Sequence, residues 1–144
     1  MEFITVGELY SLASKENSLY YKKVESLIET LDRSGILVTI DEEHVFYPKK
    51  LFCENENIEL IFFSSEAIIV TTIDDYWNVT VQKFLNKDIR KLELVNLNIE
   101  TVTVELIIHV NDQESIKLSN KKDTNTAWAT KFFKKIVGIF AKFS

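Results

Sequence analysis

Between positions 101 and 110 the chain alternates without interruption. Val102, Val104, Leu106, Ile108 and Val110 fall on one side, and Thr101, Thr103, Glu105, Ile107 and His109 on the other. A period of two puts these sets on opposite faces of a strand with one face buried, which is the habit of an antiparallel sheet. A lone strand is not stable, so the chain has to supply neighbours. Residues 36–40 and 44–47 flank the acidic turn Asp41-Glu42-Glu43 and read as a hairpin, which Pro48 is expected to end. Residues 49–57 read as a connection. Residues 58–63, 67–73, 77–85, 89–95 and 116–119 follow as further strands, separated by turns rich in Ser, Asp and Asn. Short strands at this spacing predict an antiparallel sandwich or partly open barrel.

Helices bracket the strands. Thr5-Val6-Gly7-Glu8 has the spacing of a capping box, with Leu9, Leu12 and Ala13 at helical intervals behind it. Asn17 and Ser18 offer a second cap before Tyr20, Tyr21, Val24, Leu27, Ile28 and Leu31, which share one face. Lys22, Lys23, Glu25 and Glu29 are assigned to the opposite face, and Gly35 to the position that closes the helix. In the last segment Trp128, Phe132, Phe133, Ile136, Val137, Ile139, Phe140 and Phe143 cover about half of a helical circumference. Lys131, Lys134, Lys135 and Lys142 lie opposite. An apolar arc that wide needs a cover, and the open end of the barrel provides one. The expected class is therefore α+β, with a helical pair over residues 1–35 and a barrel with its C-terminal helix over residues 36–144.

Composition enters as a set of exclusions. A chain of 144 residues has the length of one domain. Its three glycines, Gly7, Gly35 and Gly138, lie far apart, so no glycine-rich phosphate cradle can be written. Cys53 is alone, which removes a disulfide framework and a cysteine-based zinc site. The N-terminus lacks a basic region followed by an apolar run, and with the lone thiol this gives a cytoplasmic expectation. Net charge is −5, unevenly spread: residues 1–60 carry 6 basic and 12 acidic side chains, and residues 121–144 carry 6 and 1.

The order of elements then becomes informative. Six or seven short antiparallel strands followed by one amphipathic helix with a Trp resemble the pleckstrin-homology-like fold. Leu60-Ile61-Phe62-Phe63-Ser64-Ser65-Glu66-Ala67-Ile68-Ile69-Val70 looks like the first hairpin of bacterial members. Ile89-Arg90-Lys91-Leu92-Glu93-Leu94 looks like their mid-sheet strand, and Trp128 with its apolar face like the helix that plugs the barrel. The resemblance covers residues 36–144. It implies peptide binding at a sheet edge or in the groove beside the helix. Phosphoinositide binding is not carried over, because Ser64-Ser65-Glu66 has no basic side chain. The chain is also similar to small uncharacterised proteins of Gram-positive bacteria.

Reactive constellations are thin. His109 belongs to an outer strand face, and His44 follows two carboxylates at a turn. Cys53 beside Phe52 reads as a small apolar side chain, and Asp74-Asp75 as turn formers. The expectation is a non-catalytic module with no cofactor, no metal site and an unidentified protein partner. Its candidate contact residues are Tyr20, Tyr21, Lys22, Lys23, Lys131, Lys134 and Lys135. Two alternative roles stand beside it. Residues 5–47 have the outline of a winged-helix DNA reader, but Lys22, Lys23 and Arg33 are balanced by Glu25, Glu29 and Asp32, and the wing is acidic. Residues 126–143 also suit a helix lying on an anionic membrane surface.

Overall fold

The computed structural model describes residues 3–142. Side-chain caps start the helices as the sequence predicts. Thr5 Oγ1 accepts from Glu8 N and Glu8 Oε1 accepts from Thr5 N, so a full capping box opens α1, Val6–Ser14. Ser18 Oγ accepts from Tyr21 N at the head of α2, Leu19–Arg33. Gly35, at φ +84°, follows the end of α2 in the left-handed conformation that glycine adopts without cost.

The first expected strand does not form. Residues 36–40 make a short 3-10 turn, Leu37–Thr39, in which Val38 is 83% exposed. With no strand there, the hairpin over residues 36–47 and the wing it would have made are both absent. The apolar run is divided among Ile40, which is buried, and Ile36 and Leu37, which pack against the core rim.

Seven strands follow: β1 Val45–Lys49, β2 Glu59–Phe63, β3 Ala67–Ile73, β4 Val79–Leu85, β5 Lys91–Asn98, β6 Thr103–His109 and β7 Ser115–Ser119. Among the described residues they form two antiparallel sheets, β1-β2-β3-β4 and β5-β6-β7, and no closed barrel. The break falls between β4 and β5, where the 3-10 turn Asn86–Asp88 redirects the chain instead of forming a hairpin. Pro48 lies inside β1 and does not end it, because β1 is an edge strand and tolerates a missing donor. In β6, Val104, Leu106 and Ile108 are fully buried, as the alternation requires.

Asx side chains do the work that scarce glycine leaves undone. Asp74 Oδ1 accepts from Tyr76 N and Asn78 N in the β3–β4 turn. Asn111 Oδ1 accepts from Gln113 N and Glu114 N in the β6–β7 turn. Lys50, Phe52, Trp77, Asn96 and Val102 nevertheless adopt positive φ, which is strained for a β-branched residue such as Val102.

The last helix begins as a 3-10 turn, Thr126–Trp128, capped by Asn125, and continues as α3, Ala129–Lys142. Phe143 lies outside the described residues. Phe132, Ile136 and Ile139 enter the core, where α3 packs on β5, β6 and β7 and the Phe132 ring meets Tyr47 of β1 at 5.1 Å. α1 packs on α2, and α2 on β3. One continuous core runs from Ile4 through both helical layers and both sheets to Ile139.

A crossroads holds these parts together. Tyr20 Oη donates to Lys50 O and accepts from Phe52 N. Lys49 Nζ donates to Lys117 O, Lys50 Nζ to Lys122 O, and Leu51 bridges Thr124. Tyr47 Oη donates to Asp123 Oδ2 at 2.7 Å, and Ser119 N donates to the same oxygen. Burial raises the Asp123 carboxyl above the usual range, against the pull of Lys49 and these hydrogen bonds.

Candidate interaction groove

Lys131, Lys134 and Lys135 lie at helical spacing on α3, so their ammonium groups share one face. They line a groove of about 380 Å³ together with Phe3, Val45, Gly138 and Ile139. Phe3 comes from the N-terminal segment and Val45 from the start of β1, so three distant parts of the chain build it. A second depression of about 630 Å³ shares Phe3, Val45 and Lys135 and extends past Val6 and Gly7 to Glu42 and His44.

Aromatic rings back it. Phe3, which lines the groove, meets Trp128 edge-on at 6.0 Å and Phe132 at 5.1 Å, and Phe52 meets Trp128 at 5.7 Å. Lys131 Nζ lies over the Trp128 ring at 4.1 Å, and Lys135 Nζ over the Phe3 ring at 4.6 Å. Each ring face attracts a cation, so these lysines are held along the groove rather than swinging outward. Lys134 is exposed. At the far end, Lys142 Nζ donates to Glu43 O. The result is a shallow groove with Phe3, Val45 and Ile139 below and ammonium groups along one wall, suited to an anionic ligand.

The other candidate residues go elsewhere. Tyr20 and Tyr21 are buried, and burial pushes both phenols up. Lys22 is exposed on α2. Lys23, assigned by its helical position to the solvent face, is 7% exposed instead. Its Nζ donates to Asp75 Oδ1 at 2.9 Å and to Asn57 Oδ1 at 3.1 Å. The partner arrives from the β3–β4 turn, which curls over the helix, and this hydrogen bond holds the Asp75 carboxyl below its ordinary range. Nothing near Lys23 in the sequence announces the pair.

The titratable groups weighed for chemistry are engaged in local contacts. His109 Nε2 lies 2.6 Å from Glu93 Oε1 on the neighbouring strand, a contact that lowers the Glu93 carboxyl. His44 Nδ1 lies 2.7 Å from Asp41 O, and its ring meets Phe62. Ser65 donates from N and Oγ to Asp41 Oδ2, holding that carboxyl down. Burial pushes the Cys53 thiol up, which favours the unreactive protonated form. Among the described residues, no group of three His, Cys, Asp or Glu side chains is arranged to hold a metal ion. No described helix is long and apolar enough to cross a membrane.

Residues 9–134 match the family described as protein of unknown function, DUF3908. No curated protein and no solved structure matches the chain. The chain belongs to the DUF3908 family.

Proposed function

We propose that this DUF3908 member is a non-catalytic interaction module that takes an acidic segment of a partner protein into the groove beside α3. The observation that carries the reading is the convergence of Lys131, Lys134 and Lys135 on one groove lined also by Phe3, Val45 and Ile139, with Lys135 over the Phe3 ring. An extended peptide alternating Glu with Leu or Phe would meet ammonium groups along the wall and the apolar surface of Phe3, Val45 and Ile139. The two antiparallel sheets of four and three strands followed by a terminal helix support a pleckstrin-homology-like architecture. The lone thiol supports residence in a reducing compartment.

The duplex and membrane alternatives find less support. α2 presents its apolar face and Lys23 to the interior, and α3 places Phe132, Ile136 and Ile139 in the core.

Fluorescence anisotropy with a labelled Glu/Leu peptide tests the reading. Binding is expected at low salt, weakening as ionic strength rises, with a loss of about tenfold or more in the Lys131→Glu/Lys134→Glu variant. No binding at low salt, or binding indifferent to that charge reversal, overturns the proposal. So does tighter, lysine-dependent binding to duplex DNA or to vesicles of anionic lipid. Turnover of a substrate that is lost in Cys53→Ala or His44→Ala overturns the non-catalytic part.

A further inference from the structure

We propose that the chain forms a two-fold dimer by pairing the open edge of β4 with β4 of a second copy. This is a surface separate from the α3 groove. The first sheet ends at β4, which pairs with β3 on one side only. Asn86 N donates to Glu66 O, and Asp74 N donates to Asn78 O. Together with the register, which sets Ile68, Val70 and Thr72 opposite Phe84, Gln82 and Thr80, these bonds place the even-numbered residues of β4 in the hydrogen-bonded pairs. The N–H and C=O groups of Val79, Val81, Lys83 and Leu85 therefore point away from β3, and among the described residues nothing takes them.

The other sheet edges are guarded, and this one is open. β1 carries Pro48, and its end is bridged through Leu51 to Thr124. β5 is interrupted by a register shift between Val95 and Asn98, with Asn96 at positive φ. On β7, Lys117 O accepts from Lys49 Nζ, and Ser119 N donates to Asp123. Such devices keep edges from pairing with another chain. β4 has no proline and no register shift along its seven residues, Lys83 is its one charged side chain, and its Val81 and Leu85 are 37% and 39% exposed.

The side chains then select a second copy and a register. With Gln82 on the two-fold axis, Val79 lies opposite Leu85 of the second copy, Val81 opposite Lys83, and Thr80 opposite Phe84. All the outward backbone groups of Val79, Val81, Lys83 and Leu85 find partners in this register. Val79 meets Leu85, Val81 the stem of Lys83, and Phe84 the methyl group of Thr80, and no charge opposes its like. Moving the axis to Lys83 would set two ammonium groups directly against each other. Moving it to Val81 would leave Leu85 unpaired.

Sedimentation of the full chain, at concentrations up to on the order of 100 μM, reads the outcome. The wild type is expected to be a dimer. Val81→Lys sets a lysine opposite Lys83 of the second copy and is expected to give a monomer. Adding Lys83→Glu restores an opposite-charge pair and the dimer. A monomeric wild type, a dimeric Val81→Lys variant, or a double variant that stays monomeric overturns the proposal. Hydrogen exchange on the unmodified chain gives a check that does not depend on how the variants fold. Protection of the Val79, Val81, Lys83 and Leu85 amides should grow with protein concentration, while that of Thr80, Gln82 and Phe84 should not. Concentration-independent exchange at the odd positions also overturns it.

Discussion

α2 and α3 are both amphipathic, both carry lysines, and both lie against sheets, yet they are attached by different means. To its buried apolar face α2 adds polar contacts made far away in sequence: Tyr20 to the backbone of Lys50 and Phe52, and Lys23 to Asp75 and Asn57. α3 inserts Phe132, Ile136 and Ile139, while its Lys131 and Lys135 lie over rings and its Lys142 reaches Glu43 O. The same residue type thus serves two ends. A lysine is drawn inward where a turn brings a carboxylate to it, and stays at the rim where it lies over a ring.

The contrast can be broken most sharply at Phe132. Phe132→Ala removes a fully buried ring that touches Tyr47 and Phe3, and should cost about 3–5 kcal/mol in denaturant unfolding. A loss under about 1 kcal/mol would mean that α3 is not held by its apolar face.

A smaller effect is expected on α2 from Tyr20→Phe. The ring stays, but Lys50 O loses a donor and Phe52 N an acceptor in a part-buried setting. The expected loss is about 1–3 kcal/mol, measured in the same way. Stability equal to wild type would show that water replaces the hydroxyl.

The smallest effect belongs to Lys23→Met, which keeps the stem and removes the charge. Asp75 is largely exposed, so solvent screens the pair and its contribution near neutral pH is small. The sign with pH follows from the lowered Asp75 carboxyl. The folded form holds its proton less tightly than the unfolded chain, so the stabilisation is present above the ordinary carboxylate value of 3.8 and fades as pH falls through the lower folded value. Unfolding curves of the variant and the wild type should therefore differ near pH 7 and converge in acid. A difference that persists in acid would assign the loss to the Asn57 hydrogen bond instead of the Asp75 pair.

Local signals were legible and long-range ones were not. The capping box at Thr5 and Glu8, the cap at Ser18, the closing Gly35 and the alternation through β6 are each written within a few residues. Residues 36–40 have the apolar content of a strand, but no neighbour pairs with them, so they turn instead. The division into two sheets depends on what happens between β4 and β5, where the sequence offers only Asn86-Lys87-Asp88. In the groove, the lysine face of α3 follows from helical spacing. Phe3 and Val45 come from more than eighty residues away and leave no mark near it. Lys23 is the same problem in reverse, since its acid lies 52 residues downstream.

The crossroads at residues 47–53 has a consequence for how the protein is made. Lys50 O is reached by Tyr20 from 30 residues upstream, and Lys50 Nζ reaches Lys122 O 72 residues downstream. Loops of such different length must both close before this stretch has its full set of partners. On a ribosome, which delivers the chain from its N-terminus, the helical pair and the first sheet emerge while Tyr47 still waits for Asp123. The middle of the molecule is completed only when its end arrives.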